Sequence, residues 1–240
     1  VQLKDAAFGA LVAAFPNTGF MGVPLLVALL GPAAAGPVIT TVLADLFITS
    51  SLCIALARAH DALQSDANAG ARAARQAAMQ ALRGALSNPL PWSIALGALA
   101  SALQLRLPGP VDSVVKMLAD AATPVALFTI GAVLWRAGQH AHTRTPVALF
   151  LPVALIKLFV HPALVFALGA AAHAMGSGLS PFLLLVLALA AALPSASNVS
   201  LLAERYGADN GRVARIILAS TSLAFISFTG LAWLLGAKPV

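Results

Sequence analysis

Apolar runs of roughly 20 residues recur along the chain between short polar loops, and each is long enough to cross a bilayer as a helix. They predict seven spanning segments, at 6–31, 37–58, 88–105, 112–136, 147–174, 180–204 and 212–236. The longer ones exceed a straight crossing, which predicts tilt, a break or an interfacial end. Between the second and third spans the pattern changes. The Ala-rich stretch there carries Arg58, Arg72, Arg75 and Arg83 with Asp61 and Asp66, and reads as an exposed helical linker between two halves. The predicted divisions are 1–58, 59–86 and 87–240.

The apolar pattern is interrupted twice in the same way. Ala10 to Pro16 (ALVAAFP) matches Ala188 to Pro194 (ALAAALP) at five of seven positions, and small polar residues follow each proline: Asn17-Thr18-Gly19 and Ser195-Ala196-Ser197-Asn198. Proline removes a backbone donor and clashes with the preceding turn, so both helices should break in mid-membrane and leave bare N–H and C=O groups. Two matched breaks in one membrane protein point to a transporter's binding site.

Composition agrees with a membrane location. Hydrophobic residues make up 60% of the chain and charged ones 9%, with a mean hydropathy of +0.92, against about 25% charged residues in soluble domains. The net charge of +6 does not indicate nucleic acid, because the basic residues are scattered over loops rather than gathered on one face. They indicate orientation instead. One side collects ten (Lys4, the four linker arginines, Arg136, Arg144, Arg205, Arg212 and Arg215), while the other has Arg106, Lys116 and Lys238. The positive-inside bias makes the linker cytoplasmic and the C-terminus external, in a multi-pass protein of the cytoplasmic membrane.

Pro194 lies in the fourth span after the linker, whereas Pro16 lies in the first span of the chain. Equivalent halves would each have five helices with the break in the fourth, so seven of about ten spans are expected here, with three more in about 60–75 preceding residues. An odd number of helices per repeat inverts one half relative to the other.

The string Phe15-Pro16-Asn17-Thr18-Gly19-Phe20-Met21-Gly22-Val23-Pro24-Leu25-Leu26 resembles the auxin efflux carrier family, to which the plant PIN transporters and many bacterial carriers belong. So does Leu193-Pro194-Ser195-Ala196-Ser197-Asn198 with Ala203-Glu204-Arg205-Tyr206-Gly207. Ser87-Asn88-Pro89, Asp120-Ala121-Ala122 with Gly131, and Lys157 through Pro162 agree in order. The resemblance implies an all-α integral membrane fold of inverted five-helix repeats whose two broken helices cross. It also implies organic anions bound at the crossing, an elevator-like movement and a homodimer. The long hydrophilic loop of many plant members is reduced here to the short linker.

The residues after each proline carry the candidate chemistry. Uncovered backbone and polar side chains cost several kcal/mol per group in lipid, so they must line a cavity or pack on protein. A half-helix starting at a break directs free N–H groups and the positive dipole end into the site, which favours a carboxylate. Asn17, Thr18, Ser195, Ser197 and Asn198 are therefore the expected substrate contacts, and Pro16 and Pro194 the residues that build the crossover. The alternative is a pair of simple kinks whose freed carbonyls are answered by neighbouring Ser or Thr.

Asp45, Asp120, Lys157 and His161 are ionisable residues inside or at the edge of spans, where a charge costs roughly 2.5–3.5 kcal/mol on insertion scales. Lys157 and His161, four residues apart, share a helix face. Asp120, Lys157 and His161 are expected to couple or support transport; an Asp–Lys157 bridge with His161 on a carbonyl is the structural alternative. Asp45 has no role beyond a possible partner. Cys53 is a lone cysteine in an apolar run, and neither it nor the loop pair His140 and His142 makes a metal site. No cofactor is expected. A Gly-x-Ser-x-Gly elbow and a phosphate-cradling loop are lacking, so the sequence gives no sign of an enzyme or a self-contained ATP-driven pump. The expected function is secondary transport of small organic anions across the membrane; an ion-coupled malonate-type dicarboxylate permease and a membrane ligand sensor are the alternatives.

Overall fold

The computed structural model describes residues 3–65, Met79, 89–140 and 145–237. The described residues are helical apart from turns and one isolated β-bridge. The elements are α1 (Leu3–Ala14), α2 (Val23–Leu30), α3 (Ala35–Ala44), α4 (Ser50–Ser65), α5 (Pro89–Ala102) and α6 (Gly109–His140). After these come α7 (Val147–Leu155), α8 (His161–Ala174), α9 (Pro181–Ala192), α10 (Asn198–Arg205) and α11 (Asn210–Leu234).

Among the described residues, three helical stretches are long and apolar enough to cross a membrane: Pro32–Ala57, Val147–Ala174 and Asn210–Leu234. The first two are not uniform. A wide π-turn, Asp45–Thr49, joins α3 to α4, and another, Ile156–Val160, joins α7 to α8. The shorter apolar pieces Thr18–Leu30 and Pro181–Ala192 flank the two prolines, so the expected spans 6–31 and 180–204 are discontinuous. Of the expected linker, α4 carries helix to Ser65, and Arg72, Arg75 and Arg83 lie outside the described residues.

Sequence chemistry sets the helix starts. The Ser180 side chain accepts from the Leu183 N–H at 3.1 Å with Pro181 opening α9, and Asp209 accepts from the Arg212 N–H at 2.9 Å at the head of α11. A carboxylate oxygen of Asp5 in turn accepts the Asp209 N–H at 2.9 Å, tying the start of α1 to the α10–α11 loop.

Two apolar clusters flank the breaks. One packs the half-helix before the first break (Phe8, Leu11, Val12) against the half-helix after the second (Val199, Ala203), with Ala154, Val213 and Ile216 from neighbouring helices. The other packs the half-helix after the first break (Leu26) against the one before the second (Val186, Leu189, Ala190), with Val38 and Ala232. This exchange of partners is what a crossing of two broken helices requires. Outward faces carry large bare hydrophobics such as Phe128 and Trp233, 80% and 82% exposed, which suits contact with lipid rather than water.

Candidate functional site

The two breaks meet. Pro16 and Ser195 form an antiparallel bridge in which the Asn17 N–H donates to the Pro194 carbonyl at 2.8 Å and the Ala196 N–H donates to the Phe15 carbonyl at 3.0 Å. Backbone that would be orphaned in one broken helix is therefore answered by the other. Gly22 allows the close approach, since a Cβ there would sit 2.8 Å from Leu193 Cδ1.

Several further orphans have identifiable partners. In an unbroken helix the Val12 carbonyl would accept from residue 16, but Pro16 has no N–H. Ser195 Oγ donates to it instead at 2.6 Å. The Ser195 N–H, which would bond the Ala191 carbonyl in a continuous helix, donates to Ser220 Oγ at 3.2 Å, and Ser220 Oγ donates onward to the Ile217 carbonyl at 3.0 Å. The released Ala191 carbonyl is taken by Lys157 Nζ at 2.6 Å. After the first break the chain re-enters helix through a π-turn, Thr18–Gly22, where the Asn17 carbonyl collects the N–H groups of both Met21 and Gly22 at 3.0 Å.

The predicted site residues thus fall into distinct positions. Pro16, Pro194, Asn17, Thr18, Ser195 and Ser197 are all buried at the crossing, Asn17 to 3% exposure and Ser195 to 1%. Thr18 Oγ1 lies 3.5 Å from the Pro16 carbonyl, and the Ser195 hydroxyl proton is committed to Val12. Asn198 differs. It opens α10, is half-buried, and its buried Oδ1 has no hydrogen-bond partner. No hydrogen bond among the described residues takes the N–H of Ser197 or Asn198 either. An uncommitted side-chain amide and two free N–H groups thus stand together at a helix start, the end of a helix that favours negative charge.

Beside the crossing lies a cavity of about 160 Å³ bounded by Pro16, Ala190 and Ala191 of the breaks and by Asp45 and His161. Lys157 is fully buried next to it, with Nζ 2.9 Å from His161 Nδ1. The structure departs from the expected structural alternative in its ion pair: Lys157 joins His161 at the Ala191 carbonyl, and no Asp–Lys157 bridge forms within bonding distance among the described residues. The physical reason is the break itself, which presents a bare carbonyl at bonding distance from the ammonium. Asp120 is exposed on α6 and is not among the residues lining this cavity. Sequence reasoning missed Asp45 as a site residue and Ser220 altogether.

A second cavity, about 670 Å³, opens between α8, α9 and α11 and is lined by Leu158, Phe159, Phe166, Leu223, Ile226 and other apolar side chains. It offers almost nothing to orient a carboxylate.

A family model described as membrane transport protein matches residues 1–232. A protein of Rhizobium meliloti named "Putative malonate transporter" is 29% identical over 243 aligned residues, covering 99% of this chain and 70% of that protein. The "Uncharacterized transporter YfdV" of Escherichia coli K12 is 24% identical over 222 residues, covering 92% of this chain and 65% of its own length.

Proposed function

The chain belongs to the membrane transport protein family, the auxin efflux carrier group that its broken-helix strings resemble, and from that premise we propose that it is a secondary carrier of small organic anions, binding a carboxylate where the two proline breaks cross. It is a membrane transporter by family; the substrate class and mechanism are our reading. The observation that carries it is the uncommitted donor set of Asn198 and the Ser197 and Asn198 N–H groups, directly beside a crossing in which the Asn17, Ser195 and Ala196 N–H groups and the Ser195 hydroxyl already have partners. Ser195, Asn17 and Thr18 shape the site by holding the crossing, and Asn198 and Ser197 contact the anion.

Alternating access would then swap the side on which the crossing opens, with little change in the site itself. In this reading the protein works in the cytoplasmic membrane as a homodimer of inverted five-helix repeats, linker inside and C-terminus outside. The name of the Rhizobium relative favours a dicarboxylate of malonate type within this class.

The test is uptake of a panel of labelled mono- and dicarboxylates into proteoliposomes containing the full-length protein. At least one small carboxylate should show saturable uptake that competing carboxylates suppress and amines do not. Failure of every carboxylate to move would remove the proposal.

A further inference from the structure

Two buried charges among the described residues are left unused by anion binding. Asp45 is 9% exposed, and its carboxylate accepts from Thr49 Oγ1 at 3.1 Å while lining the cavity behind the crossing. Lys157 is wholly buried and donates to a carbonyl and an imidazole rather than to a carboxylate. A charged ammonium has only donors, so His161 Nδ1 must accept from it and the ring proton sits on Nε2. Both charges lie in π-turns, Asp45–Thr49 and Ile156–Val160, a helix form that is rare and recurs at functional sites.

We propose that this cavity is a proton site, in which Asp45 binds one proton for each carboxylate charge held at the crossing while Lys157 stays charged. The inference rests on the carrier reading above and deepens it. The proton comes from water on the loading side, forms an O–H bond to an Asp45 carboxylate oxygen, and is returned to water on the other side.

Charge arithmetic supplies the coupling. The empty site holds Asp45 as an anion and Lys157 as a cation, which sum to zero. The fully loaded site holds a neutral Asp45, the Lys157 cation and one substrate carboxylate, which again sum to zero. A site holding substrate alone carries one net negative charge, and one holding the proton alone carries one net positive charge. Charge is costly to move through the bilayer, so the two neutral states cross readily and the half-loaded ones do not. Cavity and crossing share the walls Pro16, Ala190 and Ala191, and the Lys157 bond to the Ala191 carbonyl ties the cation to the second break.

Among the elements packed around Asp45, few other charges compete. The Thr18–Gly22 turn, α2, α3 and α9 carry no charged or titratable side chain. On α1, Lys4 and Asp5 lie in the first turn, about 15 Å or more along the axis from Pro16 at 1.5 Å per residue. On its own helix, Cys53 packs into the apolar cluster behind α1, and Arg58, His60 and Asp61 lie farther toward the polar end. On α8, His173 lies three turns beyond His161 with Nδ1 at the Leu179 carbonyl. His161 and Lys157 are thus the groups that set the charge environment of Asp45.

The experiment uses the full-length protein in proteoliposomes with labelled malonate at the same mildly acid starting pH on both sides, where it stays the mono-anion and its own second proton does not dissociate, and a trapped acid-range pH dye to report internal acidification. In the wild type, malonate entry should acidify the lumen, and an inward proton gradient of one pH unit should support about tenfold accumulation, the equilibrium factor for one proton. Asp45→Asn mimics the protonated residue: its loaded form is neutral and its empty form carries +1. It should keep malonate–malonate counterflow yet lose gradient-driven accumulation. Wild-type accumulation in Asp45→Asn overturns the proton site. If that variant does not fold, the wild type decides: malonate entry without lumen acidification overturns the site while leaving the carrier reading intact. Absence of any carboxylate flux in the wild type overturns the carrier reading and this site together.

Discussion

The two breaks look alike in sequence and are built differently. After Pro16 the chain turns straight back into helix through Thr18–Gly22, and its freed backbone is answered by the other break: Asn17 on the Pro194 carbonyl, Val12 on the Ser195 hydroxyl. After Pro194 the chain runs through Ser195 to Ser197 before α10 begins, and it is tied to two further helical segments, through Ser220 of α11 and Lys157 of the Ile156–Val160 turn. The second break also keeps donors in reserve, at Ser197 and Asn198. Two matching strings therefore make one break held mainly by the other and a second that is anchored from several sides, with free donors at its helix start. Matching strings give the geometry of a crossing; the helices around each break assign the roles.

The largest expected effect comes from cutting the anchor of the second break. Lys157→Ala strips the Ala191 carbonyl and the His161 ring of their partner and leaves Asp45 without its compensating charge, at a cost of about 3 kcal/mol or more. Thermal unfolding in detergent should show the drop, and carboxylate uptake should fall to background. A midpoint within a degree of wild type would show that the second break does not depend on this residue.

Next comes the link between the breaks. Ser195→Ala leaves the Val12 carbonyl buried without a donor, at about 1–3 kcal/mol. Pro16→Ala restores an N–H in that place, so Ser195→Ala should cost measurably less in a Pro16→Ala background, with a coupling of about 1 kcal/mol in the double-mutant cycle. Additive stabilities would mean that the serine hydroxyl does not substitute for the missing amide. The smallest effect is expected from Ser220→Ala, about 1 kcal/mol, because the Ser195 N–H loses its acceptor while the bridge to the first break persists. Equal losses from Ser220→Ala and Lys157→Ala would erase the ranking of anchors.

The breaks were legible because proline within an apolar run has one physical consequence, and its recurrence with small polar residues restricts what that consequence is for. The Lys157–His161 contact was legible as well, since helical residues four apart meet, but the carbonyl that Lys157 seeks belongs to a residue 34 positions away. Asp45 stood out as a charge within a span and still gave no role, for the residues that share its cavity arrive from α8, α9 and the first break through tertiary packing. Ser220 gave no signal, as a serine in an apolar helix ordinarily bonds its own preceding turn, which Ser220 also does with Ile217. The π-turns left no pattern in the hydrophobic periodicity because each widens a helix by a single residue.

The central claim is that the crossing of the breaks is where the carboxylate sits, and the most direct measurement is equilibrium binding of labelled malonate to the purified full-length protein and to its Asn198→Ala variant. Because Asn198 Oδ1 has no internal partner, the variant should unfold at the wild-type temperature while binding at least tenfold more weakly, a loss of about 1.4 kcal/mol. Unchanged affinity in a folded variant would contradict the account.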